Sequence, residues 1–402
     1  MNKNFTLVLI GQIISLFGSA IQRVALSLYL LQLTGSAAVY GNIVALSILP
    51  YIFAAPYAGM IADTYSRKYI MIILDVLASI VMVVFGVSLW LNVAGVKVSA
   101  IVMLLLSFIA TCYQPAVQAC IPDIVEKQYL PKANSYISQV QAFCNIAAPV
   151  LAGVLYGFLG IGAIVVINIV SFLFSAVLEC FIDLPKQAKT SQSVGFISSI
   201  KHMKQTYYKV SKSYRSVAGI IISYGLFNIC IVPLTTIFFP AVLNLQLQVS
   251  SQVYGIVEGI MTCGMFISGV LLLKKASWFS FEKVYRWDYL LPFTILLMMC
   301  IFVFTSSYYV RLLAVTVGGF VIMFTLGVGN IVTLSHIQHV IPISMLGSVS
   351  ALSTAFATAT VPVGQMLFGN LMEYISTSVL LGICAIVAYG VCRYMKKVCN
   401  RV

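Results

Sequence analysis

Apolar residues in this chain come in long runs separated by short clusters of polar and charged positions. Twelve runs stand out, at approximately 5–33, 38–62, 69–93, 98–121, 134–158, 160–183, 217–240, 251–273, 288–308, 310–333, 347–371 and 374–394. A helix that crosses a bilayer needs about 20 predominantly apolar residues. The pattern therefore predicts an all-α membrane protein with twelve transmembrane helices. The fifth and sixth runs part only at Leu159 and Gly160, and the ninth and tenth at a similarly tight turn. The first run, Phe5 to Leu33, far exceeds the roughly 7–15-residue apolar core of a signal peptide. No small-residue cleavage site stands out after it, so a retained span is expected.

Composition assigns the class. Hydrophobic residues fill 61% of the 402 positions and charged residues only 8%, against about 25% charge in soluble domains. The net charge of +13 would suit nucleic acid, but its distribution points to topology. With the N-terminus inside, 20 of the 23 Lys and Arg residues fall on the inner side; Lys97 and Arg311 fall outside and Arg23 within a span. That is the positive-inside bias. Both termini are expected in the cytoplasm of a multi-pass protein of the cell membrane, a bacterial inner membrane, with the lipid bilayer and not nucleic acid as its surroundings. The ten cysteines are scattered singly with no C-x-x-C, as packing residues are.

The longest polar stretch, 184–216, divides six spans from six. The expected organisation is a six-helix bundle at 1–183, a basic cytoplasmic linker at 184–216, a second bundle at 217–394 and a tail at 395–402. Within the linker Phe196, Ile200, Met203, Tyr207 and Tyr214 recur at helical spacing, with lysines on the other faces. This fits either a basic amphipathic helix on the inner leaflet or a solvated connection. The halves also echo one another. Gln118 to Pro122 and Gln338 to Pro342 both read Q-x-x-I-P, and Ser135 and Ser348 each lie 14 residues before a proline, Pro149 and Pro362. Parallel repeats of this kind mark secondary transporters that hold substrate between their halves.

The stretch "GMIADTYSRK", residues 59–68, places Asp63, Arg67 and Lys68 between two apolar runs. Glycine lets the second helix approach a neighbour closely. Asp63 leaves the membrane on the side where the eleventh helix begins, and a helix N-terminus carries partial positive charge. A carboxylate aimed there would latch the inner side, and Asp123, at the inner end of the fourth helix, would accept from Arg67. After the eighth helix Leu273 takes the place of Asp63, so the latch is one-sided.

These residues resemble the major facilitator superfamily signature G-x-L-A-D-R-x-G-R-K. Gly59, Ala62, Asp63, Arg67 and Lys68 match in register, while Thr64 and Ser66 depart from it. Within that superfamily the chain is similar to the macrolide-efflux-like drug:proton antiporters, through "GQIISLFGSA" followed by "TGS" in the first helix and through "QPAVQACIP" and "LPKANS" around the fourth and fifth. The resemblance implies two pseudo-symmetric six-helix bundles, alternating access, and a charge cluster at residues 59–68 that stabilises the outward-facing state. The antiporter signature G-P-x-x-G-G appears as Ala148, Pro149, Val150, Leu151, Ala152 and Gly153. Pro149 and Gly153 keep that helix kinkable and small-faced. The fourth-helix arginine of many proton antiporters is missing.

Ionisable residues inside spans are functional candidates because their burial is expensive. Arg23 and Glu258 fall in the outer halves of the first and eighth helices and would neutralise each other, with Glu258 as proton carrier and Arg23 as partner. Asp75, one or two turns into the third helix, is a third candidate for proton coupling, with a structural pairing to Arg67 or Lys68 the favoured expectation. Glu179, Asp183 and Glu373 close their helices and are expected to be solvated. Around the cavity that the resemblance implies, Tyr29, Tyr113, Tyr224, Phe227, Asn228 and Met323 would offer stacking and hydrogen bonds to an amphipathic substrate.

The expected activity is export of a lipophilic or amphipathic, macrolide-like small molecule by a monomer, against inward proton flow. It needs no metal and no cofactor beyond the proton motive force. An exporter of an endogenous siderophore or small peptide, and a lipid transporter or flippase, are the alternatives. An enzyme would need clustered acids or histidines at one depth, and the buried charges are not expected to form an acid pair.

Overall fold

A computed structural model describes residues 3–183, 196–274 and 276–399. The helices are α1 (Lys3–Thr34), α2 (Ala37–Thr64), α3 (Arg67–Trp90) and α4 (Val96–Ile124). One helical stretch, Leu130–Cys180, is bent at Gly160 into α5 (130–159) and α6 (161–180). There follow α7 (Phe196–Ser213), α8 (Arg215–Gln246), α9 (Ser251–Lys274), α10 (Phe281–Phe304), α11 (Tyr308–Val340), α12 (Ile343–Tyr374) and α13 (Thr377–Cys399). Eleven stretches among the described residues are long and apolar enough to cross a membrane. One of them contains the bend at Gly160, so the twelve predicted crossings are present.

Gly160 separates two helices without a loop because its backbone takes φ 73° and ψ 179°. That region is open essentially only to glycine. Gly160→Ala is expected to destabilise the protein by about 1–3 kcal/mol. The midpoint of thermal unfolding in detergent, followed with a thiol-reactive dye, measures this; an unchanged midpoint would contradict it.

The chain forms two compact units. The first comprises Met1–Thr34, Leu46–Ser199 and Ser250–Gly255; the second comprises Gly35–Ala45, Ile200–Val249 and Ile256–Val402. In the first unit α1 and α6 run antiparallel with polar contacts along their length. Asn4 bonds Asp183, Ser175 donates to the Gly11 carbonyl, and Asn168 donates to Gln22 Oε1 at 3.1 Å. A cluster of Phe5, Met71, Val117, Cys120, Ile121 and Ile182 closes its lower core.

In the second unit the span expected at 288–308 begins earlier, at Phe281. Phe281, Val284 and Leu291 are all buried and extend the apolar face backwards past Glu282, Lys283 and Arg286. The last helix continues beyond 394 to Cys399 for the same reason, since Met395 and Val398 are buried in that core. Of the linker, 184–195 lie outside the described residues, as do the side chains of Phe196 and Ile200. In α7, Val210 is fully buried and joins Val217, Val284 and Met395, with Met203 and Tyr214 packed against them. The Val210 side of α7 therefore meets protein, while Tyr207, Lys204, Lys209 and Lys212 are exposed.

Candidate functional site

The turn between α2 and α3 is fastened to its own unit by two cations. Arg67 on the first turn of α3 reaches α4, where its Nη1 donates to Asp123 Oδ2 at 2.5 Å and to the Ala119 carbonyl at 2.7 Å. Its Nε donates to the Ala62 carbonyl at 3.3 Å. Planar guanidinium suits this, presenting several donors in a fixed fork. Lys68 donates to the Cys180 carbonyl at 2.7 Å, at the C-terminal end of α6 where unpaired carbonyls carry partial negative charge. The Asp63 side chain and the surroundings of Gly59 lie outside what the structure describes. Leu273 is largely exposed.

Asp75 departs from expectation. Arg67 and Lys68 are both engaged elsewhere, and Asp75 lies deeper, buried at 2% exposure. The Ser15 hydroxyl on α1 approaches its Oδ1 at 3.4 Å, and Ser175 on α6 also lies against it. Glu179 departs further. Expected in solvent, it is 1% exposed, and Tyr113 on α4 donates to its Oε1 at 2.6 Å. The first unit thus holds two carboxyl groups in one interior, an acid pair that sequence reasoning did not anticipate.

The second unit buries an acid at the corresponding place. Asp288 is 2% exposed on α10, the third span of its half, as Asp75 is on α3. Position 75 in a helix starting at 67 and position 288 in one starting at 281 lie about 12 Å and about 10 Å along their helices at 1.5 Å per residue. Tyr224 and Asp288 both border Gly329, and the Cys392 thiol donates to the Asp288 carbonyl at 3.3 Å. Glu179 and Asp288 were missed because each sits at the edge of an apolar run, where an acid ordinarily meets water. A usable signal was that neither has Lys or Arg three or four positions away.

Arg23 is exposed on α1 and Glu258 half-buried on α9; they belong to different units. Of the residues expected to meet substrate, three already have protein partners. Tyr29 donates to the Ala94 carbonyl at 2.8 Å, Tyr113 to Glu179, and Asn228 to the Ala357 carbonyl at 3.1 Å. Tyr224 packs edge-on to the buried Phe227, and Met323 is half-buried.

Ala148 and Gly153 are buried on α5. Within the first unit Gly153 crosses Gly255 of α9 so closely that a Cβ on Gly255 would lie 2.8 Å from the Gly153 Cα. In the second unit Gly41 of α2 crosses Gly369 of α12 at similar range, a Cβ on Gly41 lying 3.0 Å from the Gly369 Cα.

A family model described as Major Facilitator Superfamily matches residues 8–365. Macrolide efflux protein A of Streptococcus pyogenes is 26% identical over 65% of this chain and 64% of its own length. The protein of that name from Enterococcus faecalis is 24% identical over 56% of this chain and 69% of its own. The chain thus matches just under two thirds of the length of the Streptococcus relative. Among solved structures, a bacterial homologue of the iron transporter ferroportin in the inward-facing state has a TM-score of 0.72 at 18% identity, covering 99% of this chain and 98% of that one. The nucleoside transporter NupG also has a TM-score of 0.72, at 13% identity and 99% of each chain. At such identities these two likenesses bear on the fold alone.

Proposed function

The chain belongs to the Major Facilitator Superfamily, and from that premise we propose that this multi-pass membrane transporter exports an amphipathic, macrolide-like small molecule in exchange for protons. The sequence likeness to macrolide efflux proteins carries the direction and the substrate class. Proton coupling is supported by carboxyl groups buried within the spans, since a membrane-embedded acid is costly to keep without a use. The inner excess of lysine and arginine supports a cytoplasmic location for both termini, and the bacterial relatives support a bacterial cell. The proton motive force is the energy source, and the working unit is a monomer.

The test is accumulation of radiolabelled erythromycin in cells with and without the protein, before and after a protonophore. Expressing cells should hold severalfold less drug, and the difference should vanish when the gradient collapses. Equal accumulation removes the macrolide reading. A difference that survives the protonophore removes proton coupling.

A further inference from the structure

Nothing among the described residues neutralises the acid pair of the first unit. The guanidinium of Arg67 is held by Asp123 on α4, and the ammonium of Lys68 by the Cys180 carbonyl. Facing the pair, α4 contributes Tyr113 and the fully buried Cys120, α1 contributes Ser15, and α6 adds Ser175. Two buried carboxyl oxygens of the pair, Asp75 Oδ2 and Glu179 Oε2, have no partner among the described residues, and neither has Gln12 Nε2 on α1. Gln12 is 2% exposed. It lies on the buried face of α1 between Gly11, which accepts from Ser175, and Ser15, which bonds Asp75.

Removing one ionised carboxylate from water costs several kcal/mol even after relaxation. A second negative charge in the same interior adds repulsion, so two such carboxyls titrate as a unit. Hydroxyl donors from two helices, Ser15 on α1 and Tyr113 on α4, satisfy one oxygen of each acid and leave the other open. That arrangement accommodates one negative charge and one proton. Glu179 is also one residue from the end of α6, and Cys180 beside it is exposed. Glu179 therefore lies within one turn of the surface at the end of α6.

We propose that Asp75 and Glu179 form a proton-binding site inside the first unit. A proton from water adds to a carboxylate oxygen of the pair and returns to water at the α6 end when the packing around Glu179 loosens. No electron transfer and no other ion is involved. The proposal rests on the proton-coupled reading given above and assigns the proton to α3 and α6 where sequence reasoning favoured Glu258 on α9.

The full-length protein in proteoliposomes tests it by infrared spectroscopy, which reads protonated carboxyl groups through their C=O stretch and needs no substrate. The wild type should show such a band at neutral pH that diminishes in Asp75→Asn/Glu179→Gln and persists in Glu258→Gln. Tyr113→Phe keeps both acids and removes the donor to Glu179, so it should shift the pH midpoint of the band. A band untouched by the double substitution overturns the site. If the double variant does not fold, an unshifted midpoint in Tyr113→Phe overturns it instead.

A second measurement separates this site from the general reading. Erythromycin uptake driven by an imposed pH gradient should fall at least about tenfold in the double variant. Wild-type uptake that ignores the pH gradient defeats proton antiport, with the infrared band still deciding the site. Uptake that follows the gradient equally in wild type and double variant defeats the site alone. A sodium gradient that drives uptake, with no carboxyl band, overturns the proposal in favour of a metal cation.

Discussion

Gly153→Ile is expected to abolish transport while the protein still reaches the membrane. In the first unit, a Cβ on Gly153 would overlap the Gly255 Cα and lie 2.7 Å from both the Gly255 nitrogen and the Ser251 carbonyl oxygen. All of these obstacles are backbone, so no rotamer change relieves them. Overpacking a core typically costs about 1–3 kcal/mol when side chains can shift, and here they are not what must move. The first turns of α9 would separate from α5, and with them Gln252, which packs over Gly157 one turn along. The expected reading is a transport rate at least about tenfold lower at equal abundance, equivalent to about 1.4 kcal/mol in a barrier. Ser251→Cys introduced alongside should react faster with a thiol reagent than it does on the wild-type background. Gly153→Ala should fall between the two. Wild-type transport by Gly153→Ile would mean that this crossing is not needed in the cycle.

Arg67→Ala is expected to be the most destabilising of the charge substitutions. It removes the donor to three acceptors at once, the Ala62 and Ala119 carbonyls and Asp123. The ion pair is shielded, with side-chain exposures of 17% and 23%. Stranding one member of a buried pair costs about 3–5 kcal/mol; because this one is partly solvated, about 2–3 kcal/mol is the appropriate expectation. The midpoint of detergent unfolding should drop by several degrees. The free cysteines Cys112, Cys120 and Cys144 are buried in the same unit, so their reactivity reports its opening. Arg67→Lys should recover part of the loss, because a compact ammonium pairs with Asp123 but lacks the fork for the carbonyls. Exchanging the two residues should not recover it, since the Ala62 and Ala119 carbonyls would then face a carboxylate. An unchanged midpoint in Arg67→Ala would reduce the motif to a solvated turn.

The residues of the α2–α3 turn show how far local sequence reaches. Arg67 to Asp123 was legible because both lie at helix ends on the side that the lysine and arginine bias marks as inner. Asp75 was recognised as an acid inside a span, yet given the wrong partner. Helical spacing placed it near Arg67 along one helix and carried no information on which neighbours enclose it. Glu179 was read as solvated from its position at the end of an apolar run. Its hydrogen-bond partner is Tyr113, which donates to it from α4 and belongs to a buried cluster with Phe5, Ile121 and Ile182, residues distant from it in sequence or on the other side of the turn. Asp288 was passed over for the same reason.

By itself the sequence determined the class, the twelve crossings and the break at Gly160. These depend on residue hydrophobicity, run length and the backbone freedom of one glycine, all of which act locally. Only the tertiary structure decided which acids are dry, which tyrosine serves a carboxylate and which glycines cross. In a membrane protein lipid and protein interior are equally apolar, so an apolar run states its depth but not its neighbours. What surrounds a charge is settled when helices far apart in the chain pack together.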